Sequence, residues 1–482
     1  MKEKLQKNIE NEIQKISSFL LSETFLIEHK EEFPLNNSEI TLTKVQEKIN
    51  VDFDLKLKTS QNPNEVTFKK LGFNADFKLI SDKNIFLIPA RSANRLVGKT
   101  FVPTNSLNGE FGIIYSDKFP IKSNSIFRSI LNIGKESLTT IFLGQEYSCG
   151  ETHYALGLIV LEIDNLVFHV YRHSQKDYNL LVIECLNKTD LETFKNISEL
   201  TLKSIGFLTG NWHQKEHFIF SYDSLKFENT ETLYYESLGD SIISNQEIIN
   251  PSEFRTFMET DSEKRPLLTP LLFPEKTLSK LVSDLKAKPE LERTVELLIE
   301  GNGISSPLIR CSNFHVALET IVGLVNSENK KFFEPIKSTE NLELLKEELQ
   351  TIISSKKENF TELEFDSLIK KITYINTPFN KDKFLLAYDF YKIELPENLK
   401  KLLNNRNKFL HGKTPYKEGT LKTKMKELNL EADRIYMLVS ILLLKHSNYK
   451  GHIKNQAAYR LETKRYYEEP DLEINESVFY RI

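Results

Sequence analysis

Apolar residues in the first 250 or so positions recur mostly with a period of two, whereas beyond about position 275 they recur every three to four residues. The opening is an exception: Leu5, Ile9, Ile13, Ile16 and Leu20 share one helical face and predict an amphipathic helix over 5–27. Alternation then takes over. Ile40, Leu42 and Val45 predict a strand, and Val51, Phe53, Leu55 and Leu57 alternate with polar residues as a half-buried antiparallel strand does. Further strand-like runs fall at 66–68, 77–80, 85–88, 111–115, 138–142, 154–163, 166–171, 180–184, 218–222 and 233–235, with Asp164-Asn165 as a tight hairpin turn. Positions 190–206 read as a helix. Pro266, Pro270 and Pro274 punctuate a charged segment that marks a boundary. Helices are predicted near 276–287, 289–300, 307–326, 340–356, 361–373, 380–391, 396–411 and 421–446, with Glu468-Glu469-Pro470 stopping any helix in the tail. The predicted fold class is α+β and multidomain. A β-rich, sandwich-like domain (1–260) is followed by a linker (261–275), an all-α bundle (276–460) and a C-terminal tail (461–482).

Composition narrows the class. The 482 residues are 40% hydrophobic and 27% charged, as in an ordinary folded chain, and the net charge of −4 excludes a general nucleic-acid coating protein. Cys149, Cys185 and Cys311 are odd in number and far apart, without zinc spacing, which predicts a reducing compartment and no structural metal. The N-terminus lacks a secretory apolar region, and the run from Met437 to Leu444 is too short to span a bilayer. A cytoplasmic protein without a membrane partner is expected. No P-loop or GxGxxG occurs, and no cofactor is expected.

The segment from Leu399 to Gly412 carries the sharpest chemistry. Leu399, Leu402, Leu403 and Leu410 form an apolar helical stripe, and Arg406 falls on it. A fixed charge there must be paired or line a cleft. His411 follows near the helix end, where the helix dipole favours its protonated form, and Gly412 supplies a left-handed cap position. Between Lys392 and Lys426 there are ten Lys/Arg against three Glu, a local excess of +7 that would attract a polyanion. RNA cleavage without a metal needs a base, an acid and cationic stabilisation of the phosphorane. Histidine suits the first two tasks and arginine the third. Asn407, four residues before His411, can orient a phosphate or the histidine. Residues five apart on an ideal helix point about 140° apart, so convergence requires a loosened last turn or a second copy across a two-fold axis. The competing reading is a solvated lysine-rich surface with a structurally paired arginine and a capping histidine. The residues alone leave both open.

The string Arg406-Asn407-Lys408-Phe409-Leu410-His411 resembles the R-x4-6-H motif of the HEPN superfamily. Arg310, Phe314, Ala317, Leu318, Glu319 and Ile321 resemble an early HEPN helix. The stretch Leu438–Leu444, followed by Lys445, Asn448-Tyr449-Lys450-Gly451 and Ile453, resembles the closing helix of the ApeA-like antiphage defence branch. Together these cover about residues 305–455. The segment Ile205-Gly206-Phe207-Leu208-Thr209-Gly210-Asn211 is similar to one in the N-terminal part of ApeA-like proteins. The resemblance implies a HEPN helical bundle and a metal-independent endoribonuclease that leaves 2′,3′-cyclic phosphate ends. It implies abortive-infection defence, RNA (tRNA among the candidates) as substrate, a homodimer or higher oligomer, and a phage-derived trigger sensed by the N-terminal part. Arg406, Asn407 and His411 would be catalytic, Glu319 supporting, and Lys400, Lys401, Lys408 and Lys413 RNA-binding. A non-catalytic RNA- or nucleotide-binding adaptor on the same helices is the alternative, and a purely structural interaction protein a third reading.

Four other constellations carry less. His169 with His173 and His213 with His217 each share a strand face without a carboxylate or cysteine arranged for metal. Arg91-Ser92-Ala93-Asn94-Arg95 could hold a phosphate, but an ordinary loop is the favoured reading. Cys149 with His153 offers a Cys–His nucleophile candidate, in a segment expected to be a loop between strands.

Overall fold

The computed structural model describes residues 5–19, 21–29, 37–43, 51–56, 76–98, 106–228, 232–244, 246–259, 265–404 and 420–482. The chain forms two compact units, Met1–Lys286 and Ala287–Ile482.

Alternation builds the first unit. Its strands are β1 (Leu5–Lys7), β2 (Glu23–Glu28), β3 (Glu39–Thr43), β4 (Val51–Lys56), β5 (Phe77–Ile80), β6 (Ile85–Ile88), β7 (Ala93–Gly98), β8 (Ser106–Phe111), β9 (Ile113–Ser116) and β10 (Ile126–Asn132). After them come β11 (Phe142–Leu143), β12 (Gln145–Cys149), β13 (Thr152–Ile163), β14 (Leu166–Ser174), β15 (Asn179–Cys185), β16 (Asn211–Trp212), β17 (Glu216–Tyr222), β18 (Leu233–Ser237), β19 (Ile242–Ile243) and β20 (Phe273–Pro274). Sixteen of these form one hydrogen-bonded sheet in the order β1-β12-β13-β14-β15-β10-β17-β18-β9-β6-β5-β2-β3-β4-β8-β7. The expected pair of sheets is therefore a single sheet. Inward residues from its two halves, such as Phe25, Phe53, Phe77 and Phe111 on one side and Ile130, Tyr147, Tyr171 and Phe218 on the other, join one buried cluster, so the sheet curls around a common core. Asp164 and Asn165 have φ of 49° and 64°, the geometry of a type I′ hairpin turn between β13 and β14.

The expected helix over 5–27 is instead β1, a helix α1 (Glu10–Phe19) and β2. The Asn8 side chain accepts the Glu10 backbone N–H at 2.9 Å and starts α1; β2 then alternates buried Phe25 and Ile27 with exposed neighbours. Ile9 is buried in the core, and Ile13, Ile16 and Phe19 pack against it. The Phe19 ring lies 5.7 Å from Phe86 and 5.3 Å from Tyr235.

The central strand β10, absent from the sequence reading, is buried on both faces from Ile126 to Leu131. Phe127 meets Phe194 of α2 (Leu191–Thr209) at 5.4 Å. On the other face, the register aligns Arg128 with Glu184 of β15, and Glu184 with His169 of β14. Glu184 accepts from Lys7 Nζ at 2.5 Å, from Arg128 at 2.7 Å and from the Tyr171 hydroxyl at 2.5 Å. Arg128 also pairs with Glu12 of α1, which accepts from the Tyr222 hydroxyl. These groups tie β1 and α1 to the sheet. Burial works to raise the Glu184 pKa, but Arg128 and Lys7 outweigh it and hold the carboxyl below its usual range.

The run at 138–142, expected as a strand, is a 3₁₀ turn from Leu138 to Ile141 leading into β11. A short helix α3 (Pro251–Met258) precedes α4 (Glu275–Ala287). The sequence assigns α4 to the helical domain, but the division falls at its last residues. Glu275 and Ser279 accept the backbone N–H groups of Val160 and Glu162 at 3.0 and 3.2 Å, and Lys286 pairs with Asp164 at 2.5 Å. Those bonds place α4 on β13 of the first unit.

The second unit is helical: α5 (Pro289–Gly303), α6 (Pro307–Glu328), α7 (Lys330–Phe333), α8 (Thr339–Ser354), α9 (Glu362–Thr373), α10 (Asn380–Phe390), α11 (Glu397–Asn404), α12 (Leu421–His446) and α13 (Gln456–Tyr467). Helix α13 runs into the tail and ends at Tyr467, immediately before the expected stop at Glu468-Glu469-Pro470. It begins at Asn455, whose side chain accepts the Ala457 and Ala458 N–H groups. The tail's end docks as β22 (Phe479–Arg481) on β21 (His452–Lys454). Among the described residues α6 is the one helix long and apolar enough to cross a membrane; here it packs on α5 and α12.

Candidate functional site

The helices that flank the expected motif converge. The face of α6 bearing Cys311, Phe314, Leu318, Ile321 and Val325 is buried, as is the stretch of α12 from Ile435 to Leu444. Phe314 lies 5.5 Å from Tyr436, and the Cys311 thiol reaches the Leu428 carbonyl at 3.4 Å. One polar cluster crosses this apolar seam. Arg310 of α6 pairs with the fully buried Asp433 of α12 at 3.0 Å and donates to Asn429 Oδ1 at 3.1 Å. Arg460 of α13 pairs with the other Asp433 oxygen at 2.7 Å. The two guanidiniums offset the cost of burying this carboxylate.

The expected catalytic residues Arg406, Asn407 and His411, and the expected RNA contacts Lys408 and Lys413, lie outside the described residues. Their neighbours on the chain are fixed. Leu399, Leu402 and Leu403 of α11 are buried, in line with the apolar stripe. On the far side of the segment, Thr420 caps α12, its side chain accepting the Thr423 N–H. Lys400 and Lys401 are on α11; Lys400 pairs with Glu397 at 2.8 Å on the surface, a contact worth little by itself. Glu319 sits half-buried on α6, nine residues from Arg310 and so about 180° around an ideal helix from it. The Arg310–Asp433 pair and Glu319 therefore address different neighbours of α6. Asp433 and Arg460, which organise this seam, were not singled out from the sequence. A buried aspartate on an otherwise apolar face, one helical turn from Asn429, is the signal that could have found them.

In the first unit the Cys–His candidate changes partner. Cys149 Sγ lies 3.1 Å from His173 Nδ1, while His153 pairs with Glu146 at 2.8 Å. The reason is that 145–149 is strand β12, not a loop, and its alternation turns Cys149 inward. Burial pushes the Cys149 thiol up to about 12, the opposite of what a nucleophile needs. The four histidines do not come together as a set: His169 meets Lys7, His173 meets Cys149, and His213 and His217 are buried with pKa values lowered by burial to about 4 and about 3. Among the described residues no group of three or more His, Cys, Asp or Glu could hold a metal ion. No protein-family model, curated protein or solved structure matches the chain.

Proposed function

We propose that this chain is a metal-independent endoribonuclease of the HEPN type, acting in antiphage defence, with the β-rich unit as its sensing part. The observation that carries the reading is the bracket around positions 405–419. Helices α11 and α12 both belong to one packed unit, and α12 is locked to α6 through Arg310, Asp433 and Asn429. The residues that resemble a HEPN helix pair, on α6 and α12, are thus neighbours, and the segment with Arg406, Asn407 and His411 lies on the chain between α11 and α12. In this reading His411 moves the 2′-hydroxyl or leaving-group proton, Arg406 stabilises the phosphorane charge, and Asn407 positions the phosphate. A second copy supplies the second histidine, and RNA, tRNA included, is the substrate class.

The test is end chemistry. RNA incubated with purified full-length protein in EDTA should acquire 2′,3′-cyclic phosphate and 5′-hydroxyl ends, and Arg406→Ala or His411→Ala should each abolish them while leaving the circular dichroism spectrum unchanged. Cleavage that persists in the double variant overturns the proposal; RNA binding without cut ends assigns the adaptor function instead.

A further inference from the structure

A polar cavity of about 620 Å³ opens in the first unit beside β1 and α1, lined among others by Lys7, Asn8, Glu12, Arg128, His169 and Phe227. Its volume is in the range of about 300–1,000 Å³ typical of small-molecule sites. Its spare hydrogen-bonding capacity is mostly donor. Lys7 Nζ has three hydrogens; it donates to Glu184 at 2.5 Å and to His169 Nδ1 at 2.9 Å, and lies 5.3 Å from the Tyr171 ring. Because an ammonium has no lone pair, His169 Nδ1 must be the acceptor. The proton of the neutral imidazole is therefore on Nε2, which becomes a donor. His169 stays neutral because burial, with Lys7 beside it, lowers its pKa to about 4. Arg128 is almost fully buried and its Nε–H has no hydrogen-bond partner, although its terminal nitrogens are engaged by Glu12, Glu184 and the Asn8 carbonyl. An unsatisfied guanidinium N–H in a protein interior is disfavoured unless something else fills its place.

The wall opposite is built under constraint. Phe227 holds φ at 53°, a conformation that a bulky residue adopts at a steric penalty and that recurs at ligand clamps. Its ring covers the Arg128 guanidinium at 4.1 Å and packs on Tyr222 at 5.0 Å. Lys226, beside it, is exposed at the cavity rim, as is Glu228. Lys7, Arg128 and Lys226 outnumber the lining carboxylates Glu12 and Glu228, and Glu12 Oε1 is already occupied by Arg128 and Tyr222.

We propose that this cavity binds a small phosphorylated molecule of mononucleotide size, its phosphate held by the Lys7 ammonium, His169 Nε2–H and Arg128 beneath the Phe227 ring, with the Lys226 ammonium closing on it from the rim. Donors from three different strands approach from separate directions, which suits a tetrahedral phosphate better than a planar carboxylate. The site is independent of the nuclease proposed for the second unit.

The experiment is a calorimetric titration of the full-length protein with AMP, inorganic phosphate and, as the carboxylate arm, citrate. Saturable binding of AMP or phosphate is expected. His169→Phe and the surface variant Lys226→Ala should each weaken it about tenfold or more, the effect of losing a charge-assisted hydrogen bond. Lys176→Ala, an exposed lysine that does not line the cavity, should leave it unchanged. If His169→Phe fails to fold, Lys226→Ala decides. The proposal is overturned if neither phosphate probe binds at millimolar concentration, if citrate binds more tightly than both, or if Lys226→Ala binds as the wild type does.

Discussion

Replacing Asp433 by Asn isolates the polar cluster that locks α6 to α12. The side chain keeps its shape and loses its charge. Arg310, itself buried, then retains the Asn429 oxygen at 3.1 Å and the Phe314 ring at 5.7 Å, but no anion. At the 3.0 Å separation of the pair, the direct attraction is about 5 kcal/mol at an effective dielectric of 20. Arg460 contributes less, because half of its side chain is in solvent and can turn away. Removing one member of a buried pair costs about 3–5 kcal/mol, since the other charge is left uncompensated. For a domain of this size that corresponds to a fall in Tm of about 6–20 °C. Calorimetry on the full chain gives the size of the shift, and hydrogen exchange of α6 and α12 peptides assigns it to the second unit. The double variant Arg310→Met/Asp433→Leu removes both charges and should recover most of the loss, because apolar replacements of a buried pair are close to neutral. A Tm for Asp433→Asn within about 2 °C of wild type refutes the reasoning. So does a double variant less stable than the single one, which would mean that the pair itself, rather than the stranded arginine, carries the effect.

Acid should loosen the β-rich unit at a pH where most carboxylates are still ionised. His169, His213 and His217 are buried, and burial lowers their pKa values to about 4, about 4 and about 3. The unfolded chain takes up protons below about 6.5 and the folded one does not, so stability is full above that pH and lost as it falls towards 4, by about 2 kcal/mol per histidine at pH 5; urea titrations at pH 7 and pH 5 measure it, and equal midpoints would contradict it. Gly206→Ala should destabilise the same unit by about 1–3 kcal/mol, read as a lower urea midpoint, since a Cβ there would stand 2.8 Å from the Trp212 Cα. All three cysteines are free and buried, with thiols raised by burial. A thiol reagent should therefore react slowly with the native protein and with three equivalents once it is denatured.

The halves of the fold were legible because each keeps one period over long stretches. Alternation at Val51, Phe53 and Leu55 and helical spacing along α6 and α12 both became buried faces. What the sequence hid was residues serving two faces or two roles. β10 reads as an irregular run because Arg128 faces one layer and Phe127 and Leu131 the other, so neither period is clean. The α4 helix looked like the start of the helical domain because its length and spacing say nothing about the bonds Glu275 and Ser279 make to β13. The buried charges of the first unit are spread over Lys7, Glu12, Arg128 and Glu184, and no local pattern links residues so far apart. The candidate motif rests on spacing and resemblance alone, since Arg406 and His411 lie outside the described residues.

The long reach of α1 also sets an order of events on the ribosome. Glu12 closes on Arg128 and on Tyr222, which is 210 residues further along the chain. At about 5–20 residues per second, Tyr222 emerges roughly 10–40 s after Glu12. Arg128, 116 residues after Glu12, emerges about halfway through that interval; until Tyr222 and Tyr235 follow, the nascent helix lacks the hydroxyl that its carboxylate accepts and part of the aromatic surface that covers Phe19. The first unit cannot fold from its beginning. It must wait for its own middle, and until then its leading segment is a natural client for whatever chaperone meets the emerging chain.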